Sequence, residues 1–160
     1  MLRAAYKKPG DWTAVSSEKM AVAGSQTKRD WWDNFTKIPV WGDLRKSERF
    51  GQLNAALLKN PETKQLVGHS LSGSVILEKQ IRNPGKYETT TYNAPVFQPF
   101  STAQGQRYTF KNDPVSMFDR GVRSFDKNTI NPVKAHSYKN QPDGYASNTV
   151  LPDNTQILIE

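Results

Sequence analysis

Hydrophobic positions in this chain fall into short blocks whose spacing changes along the sequence. Trp12-Thr13-Ala14-Val15 and Met20-Ala21-Val22-Ala23 are apolar runs separated by the polar Ser16-Ser17-Glu18-Lys19, which predicts a β-hairpin leading into a loop over 24–27. Residues 28–35 predict a short helix with Thr27 as its N-cap, followed by a loop holding Pro39, Trp41 and Gly42. Between Ser47 and Lys59, Phe50, Leu53, Leu57 and Leu58 recur at spacings that place them on one helical face. Lys64–Val67 predicts a strand, and Leu71, Val75, Ile76 and Ile81 predict a helix stopped by Asn83-Pro84-Gly85. Tyr87–Tyr92 and Gln106–Phe110 are rich in threonine and aromatic residues and predict strands, with a final edge strand over 156–159. Strands alternating with helices predict an α/β fold built on a mostly parallel sheet, in a single domain over 1–160.

Composition narrows the chemistry more than the fold. The chain has 160 residues and no cysteine, which removes disulfides, thiolate metal sites and cysteine nucleophiles. With two histidines besides, no metal or organic cofactor is expected. No apolar run approaches the length of a membrane span, and Met1–Pro9 lacks the apolar centre of a secretory signal. The expectation is a soluble, cytoplasmic protein. A net charge of +7 raises two partner classes, nucleic acid and anionic lipid headgroups. The basic residues are scattered singly and in pairs without a nucleic-acid motif, so no nucleic-acid partner is expected and a solvated basic surface explains most of the charge.

Leu66-Val67-Gly68-His69-Ser70-Leu71-Ser72-Gly73 joins a predicted strand to a predicted helix, with a serine at the apex. Such a turn holds a serine hydroxyl clear of the backbone, as in a nucleophile elbow. Glycine is expected two residues after the serine, and Ser72 stands there instead. His69 lies beside the serine in the turn, where its side chain should point the other way, leaving His136 as the available general base. Asp113 follows the strand ending at Phe110, where catalytic groups of parallel sheets collect. Asp119 and Asp143 are rivals with no clear strand before them. The order Ser70, Asp113, His136 is the α/β-hydrolase order of nucleophile, acid and base. Backbone N–H groups for an oxyanion are expected from Leu71, at the helix start, and from Gly24-Ser25, after the earlier strand.

Several segments, in order, resemble class 3 lipases. Residues 22–35 resemble that family's oxyanion-loop segment, with Ser25 in its Ser/Thr place and Asp30-Trp31 at its Asp/Asn-Trp offset. The elbow resembles Gly-His-Ser-Leu-Gly-Gly, Thr91-Tyr92-Asn93-Ala94-Pro95 is similar to a strand ending in Gly-x-Pro, and Asn112-Asp113-Pro114-Val115 is similar to Asn-Asp-x-Val. Val22-Ala23 stands in place of the family's Phe-Arg, Ser72 replaces a glycine, and only a small lid fits between Phe35 and Ser47. The resemblance implies a shortened α/β-hydrolase with an N-terminal hairpin, cleaving carboxylic esters through a Ser70–Asp113–His136 triad and an oxyanion hole at Ser25 and Leu71. Trp31 is expected in the core, whereas Trp32 and Trp41 are candidates for an acyl-binding wall or a lipid-surface contact. With the positive charge they make a lipid or phospholipid ester the first expectation for the substrate, with peripheral contact to an anionic membrane surface. A small soluble ester or a thioester is the alternative, and so is a non-catalytic protein that keeps the fold. Oligomeric state is left open.

Overall fold

β-strand pairing in the computed structural model follows chain order from first strand to last. The structure describes residues 2–6, 13–16, 18–24, 44–95, 104–110, 112–116, 119, 122–124 and 132–137. Its elements are α1 (Leu2–Tyr6), β1 (Thr13–Ser16), β2 (Lys19–Val22), α2 (Glu48–Lys59), β3 (Gln65–His69), α3 (Leu71–Arg82), β4 (Glu88–Tyr92), β5 (Gln106–Phe110), β6 (Val122–Ser124) and α4 (Pro132–Ala135), with a short 3-10 turn at Leu44–Lys46. They form an α/β arrangement around a six-stranded sheet in the order β1-β2-β3-β4-β5-β6. β1 and β2 are the antiparallel hairpin, and every later pairing is parallel.

A sheet that advances one strand at a time in a single direction, with right-handed crossovers, puts its crossover helices on the same face. The core agrees. Met20, Val22 and Leu66 pack with Phe50, Leu53 and Leu57 of α2 and with Leu71, Val75 and Ile76 of α3. The alternate positions Ala21, Ala23 and Val67 point to the other face, where Ala5 and Tyr6 of α1 cover them. Leu2 joins Tyr92, Tyr108 and Phe110 farther along that face. The period-two alternation of β2 and β3 thus serves two cores at once.

Helix α2 begins where a cap is available. Ser47 is in extended geometry and its Oγ accepts from the Phe50 N–H at 3.2 Å. The predicted helix over 47–59 therefore keeps its length, with Ser47 as cap, and the predicted strand over 106–110 is β5 itself. Strand β3 runs two residues farther than 64–67 suggests, up to the turn at Ser70. Three elements depart from expectation. α1 and β6 have no counterpart in the sequence pattern, and residues 132–135, expected as loop, form one helical turn. Each is too short to show a period. The helix expected over 28–35, the loop with Trp41, and the edge strand over 156–159 lie outside the described residues, as do Trp31 and Trp32. Among the described residues no helix is long and apolar enough to cross a membrane.

Leu53 is fully buried between α2 and the sheet, whereas Leu58, expected on the same face, is 84% exposed and lies off the stripe formed by Phe50, Leu53 and Leu57. Leu53→Ala is expected to lower unfolding free energy by about 2–5 kcal/mol, and Leu58→Ala by less than about 0.5 kcal/mol. Urea denaturation midpoints of the two variants would measure the difference.

Candidate functional site

Ser70 lies where β3 passes into α3, and its backbone has φ 58 and ψ −134, a region L-residues seldom occupy. Two contacts hold it there. Its N–H donates to the Tyr92 carbonyl at 3.0 Å, and its carbonyl accepts from the Gly73 N–H at 2.8 Å. The turn also requires a close approach of helix to strand at Gly68. A Cβ there would come within 2.9 Å of the Gly73 nitrogen and 2.5 Å of the Ile76 side chain, so only glycine fits.

The turn presents the Ser70 hydroxyl to His136. Ser70 Oγ lies 2.7 Å from His136 Nε2, and His136 Nδ1 lies 2.9 Å from Asp113 Oδ2. A carboxylate only accepts, so Nδ1 carries the proton and the Nε2 lone pair faces the hydroxyl, which donates to it. Asp113 is oriented in turn. Its Oδ1 accepts from the Val115 N–H at 3.0 Å, and its Oδ2 from the Ser116 hydroxyl at 2.8 Å. All three site residues are buried, Ser70 being 4% exposed. Burial makes each of these bonds electrostatically stronger than it would be in water.

The rival acid Asp119 is placed elsewhere, with its Oδ1 3.3 Å from the Arg107 guanidinium rather than on an imidazole. Asp143 and Ser25 lie outside the described residues. Leu71 is the first residue of α3, so its N–H has no acceptor within the helix. Gly24 brings the end of the β2 segment to the same turn, because a Cβ there would come within 3.0 Å of the Ser70 Cβ and 2.6 Å of the His69 carbonyl oxygen. Trp32 and Trp41 are outside the described residues, and no placement is given to them.

Ser72, the departure from the glycine pattern, is fully buried and its hydroxyl donates to the Ala23 carbonyl. The extra oxygen is therefore accommodated, and it ties the helix after the Ser70 turn to the end of β2. Ser74 makes a comparable bond to the Pro95 carbonyl.

Comparison with protein-family models, with curated proteins and with solved structures found no match.

Two residues matter to the site more than their sequence context suggests. Asn93, fully buried just after β4, has φ 46, a left-handed conformation that asparagine tolerates better than most residues. Its Oδ1 accepts from the Phe110 N–H at 2.9 Å, and its Nδ2 donates to the Ala135 carbonyl at 3.1 Å. One side chain thus links the strand before Asp113 to the residue before His136. The signal was present in the sequence, since Asn93 stands where the Gly-x-Pro pattern has glycine. His69 is the second. Both of its ring nitrogens are engaged by groups other than Ser70: Nε2 lies 2.9 Å from the His136 carbonyl oxygen and Nδ1 lies 2.6 Å from the Tyr6 hydroxyl. Burial, reinforced by the neighbouring His136, holds its pKa well below the ordinary histidine value.

Asn93→Gly keeps the backbone conformation available and removes both side-chain bonds, so it is expected to cost about 2 kcal/mol in a denaturant titration. His69 supplies a pH signature. It is neutral when folded and takes up a proton near pH 6.5 when unfolded, so its contribution is complete above that pH. The contribution falls as pH drops below about 6.5, with a limiting slope of about 1.4 kcal/mol per pH unit for one proton. Unfolding free energies between pH 7 and 5 are therefore expected to decline more steeply for the wild type than for His69→Gln.

Proposed function

We propose that this protein is a serine hydrolase of carboxylic esters, with a shortened α/β-hydrolase fold of the kind its motifs share with class 3 lipases. The observation that carries the reading is the continuous chain from Ser70 Oγ through His136 to Asp113, with spacings of 2.7 and 2.9 Å, on a turn with positive φ. Buried serine, histidine and aspartate side chains meet in other proteins for structural reasons too. The tautomer and the backbone strain favour a catalytic assignment, because a structural hydroxyl needs neither.

In this mechanism Ser70 attacks the ester carbonyl carbon while its proton passes to His136 Nε2. Asp113 holds the imidazole in the required tautomer and stabilises the cation that forms. The oxyanion of the tetrahedral intermediate is held by the Leu71 N–H and by a second donor from Ser25, each worth about 3 kcal/mol where such donors have been removed. His136 then returns the proton to the departing alcohol, leaving an acyl-Ser70 ester. Water, deprotonated by His136, attacks that ester, and collapse of the second intermediate releases the acid and restores Ser70.

The substrate we favour is a lipid or phospholipid ester. Trp32 and Trp41 after the oxyanion loop support it, and the positive charge is suited to an anionic membrane surface. No cofactor enters the proposed steps.

A panel of p-nitrophenyl esters of increasing acyl length, with and without anionic vesicles, tests both levels of the reading. Ser70→Ala and His136→Ala are each expected to lower kcat by roughly a thousandfold or more, with fluorophosphonate labelling lost in Ser70→Ala. Equal rates in wild type and both variants would point to a non-catalytic protein that keeps the fold. A long-chain preference enhanced by vesicles identifies a lipid substrate, and a short-chain optimum indifferent to vesicles identifies a soluble one.

A further inference from the structure

The mechanism leaves unused a polar network around the buried His69. It begins in α1, a single helical turn fixed to the sheet by the buried Leu2 and Ala5. Tyr6, at the end of that turn, receives the Gly24 N–H on its hydroxyl oxygen at 2.9 Å. The same hydroxyl lies 2.6 Å from His69 Nδ1. On the far side of the ring, His69 Nε2 lies 2.9 Å from the His136 carbonyl oxygen.

The direction of every proton in this chain follows from its ends. A carbonyl can only accept, so His69 Nε2 carries a hydrogen and donates it to His136. Neutral His69 then has its lone pair on Nδ1, and Nδ1 accepts from the Tyr6 hydroxyl. The Tyr6 oxygen in turn accepts from Gly24. A phenol is the group that completes this sequence, since it donates and accepts through one atom.

We infer that Tyr6 is a positioning residue for the catalytic site: its hydroxyl anchors the His69 ring, so that His69 holds the His136 backbone in line with Ser70, and it fixes the end of the oxyanion segment at Gly24. The inference rests on the serine-hydrolase reading. The Tyr6 hydroxyl acts through His69 on one side and Gly24 on the other. Without its hydroxyl, the buried Nδ1 lone pair of His69 loses its donor, and the ring is held only through its Nε2–H bond to the His136 carbonyl. A ring fixed at one nitrogen can turn, and the His136 backbone it holds moves with it. Gly24, which backs onto Ser70, would lose its hydrogen-bond acceptor in the same step. One substitution thus reaches two parts of the proposed machinery.

Tyr6→Phe tests this while preserving the ring that packs against Ala21, Ala23 and Val67. The chain has only two histidines, so long-range 15N–1H spectra of the full-length protein resolve each ring separately. The expected result is the Nε2–H tautomer of His69 in both proteins, because the His136 carbonyl remains, with a His69 Nδ1 resonance that moves in Tyr6→Phe as the bond from the phenol is lost. Ester hydrolysis is expected to lose about tenfold in kcat with KM within about twofold, since a misplaced base affects the transition state more than binding. Leu58→Ala, on the exposed side of α2, should match wild type. A wild-type His69 in the Nδ1–H tautomer overturns the inference, as does an unchanged kcat in Tyr6→Phe beside an active wild type. A wild type with neither turnover nor Ser70 labelling overturns the hydrolase reading itself, and the catalytic role of Tyr6 with it.

Discussion

Holding Ser70 at φ 58 between a strand and a helix is the constraint on which the described structure turns. A non-glycine residue in such a region costs on the order of 1–3 kcal/mol, so the surroundings must over-determine it. They do so from three sides. β4 accepts its N–H through Tyr92, the first turn of α3 takes its carbonyl through Gly73, and Gly68 lets that helix come against β3 without a side chain between them. Ser72 then ties the same helical turn to Ala23 at the end of β2. Relaxing the serine would require moving several elements at once, which makes the hydroxyl's direction a property of the sheet rather than of one loop.

The groups that meet the serine come from strand ends on the same side of the sheet. β3 delivers Ser70, β5 leads through Phe110 to Asp113, and β2 leads to Gly24. The exception is His136, which follows a single turn of helix and has no strand of its own. Asn93 supplies the missing support. By bonding both Phe110 and Ala135 it places the residue before the histidine relative to the strand before the aspartate. The spacing between imidazole and carboxylate is therefore set by a buried amide as well as by the two groups themselves.

What was legible in the sequence follows from length and period. α2 and α3 have enough residues for a helical repeat to stand out, strands β1 to β5 show as short apolar or threonine- and aromatic-rich runs, and the serine turn shows itself by glycine and serine between them. His136 could be singled out by elimination because the chain has only two histidines, whereas Ser70 is marked by its turn and Asp113 by its place after a strand, with Asp119 and Asp143 as rivals. α1, β6 and α4 are too short to carry a period, and it is α1 that supplies Tyr6. Nor could spacing reveal Asn93 as a cross-tie, because its partners lie 17 and 42 residues away. Contacts of that separation are products of topology, and a local pattern contains none of them.

The two histidines show how partners, rather than residue type, assign a role. Their rings lie 5.2 Å apart and both are buried. His136 gives its Nδ1 proton to a carboxylate and so keeps a lone pair on Nε2, aimed at a hydroxyl. His69 gives its Nε2 proton to a carbonyl and has its remaining lone pair engaged by a phenol. Only the first has a lone pair facing a serine hydroxyl, and only the first has a carboxylate on its other nitrogen. A proton placed on His69 would meet burial, a second imidazole and no carboxylate on either nitrogen. The carbonyl that fixes its tautomer belongs to His136, so the backbone of one histidine sets the state of the other.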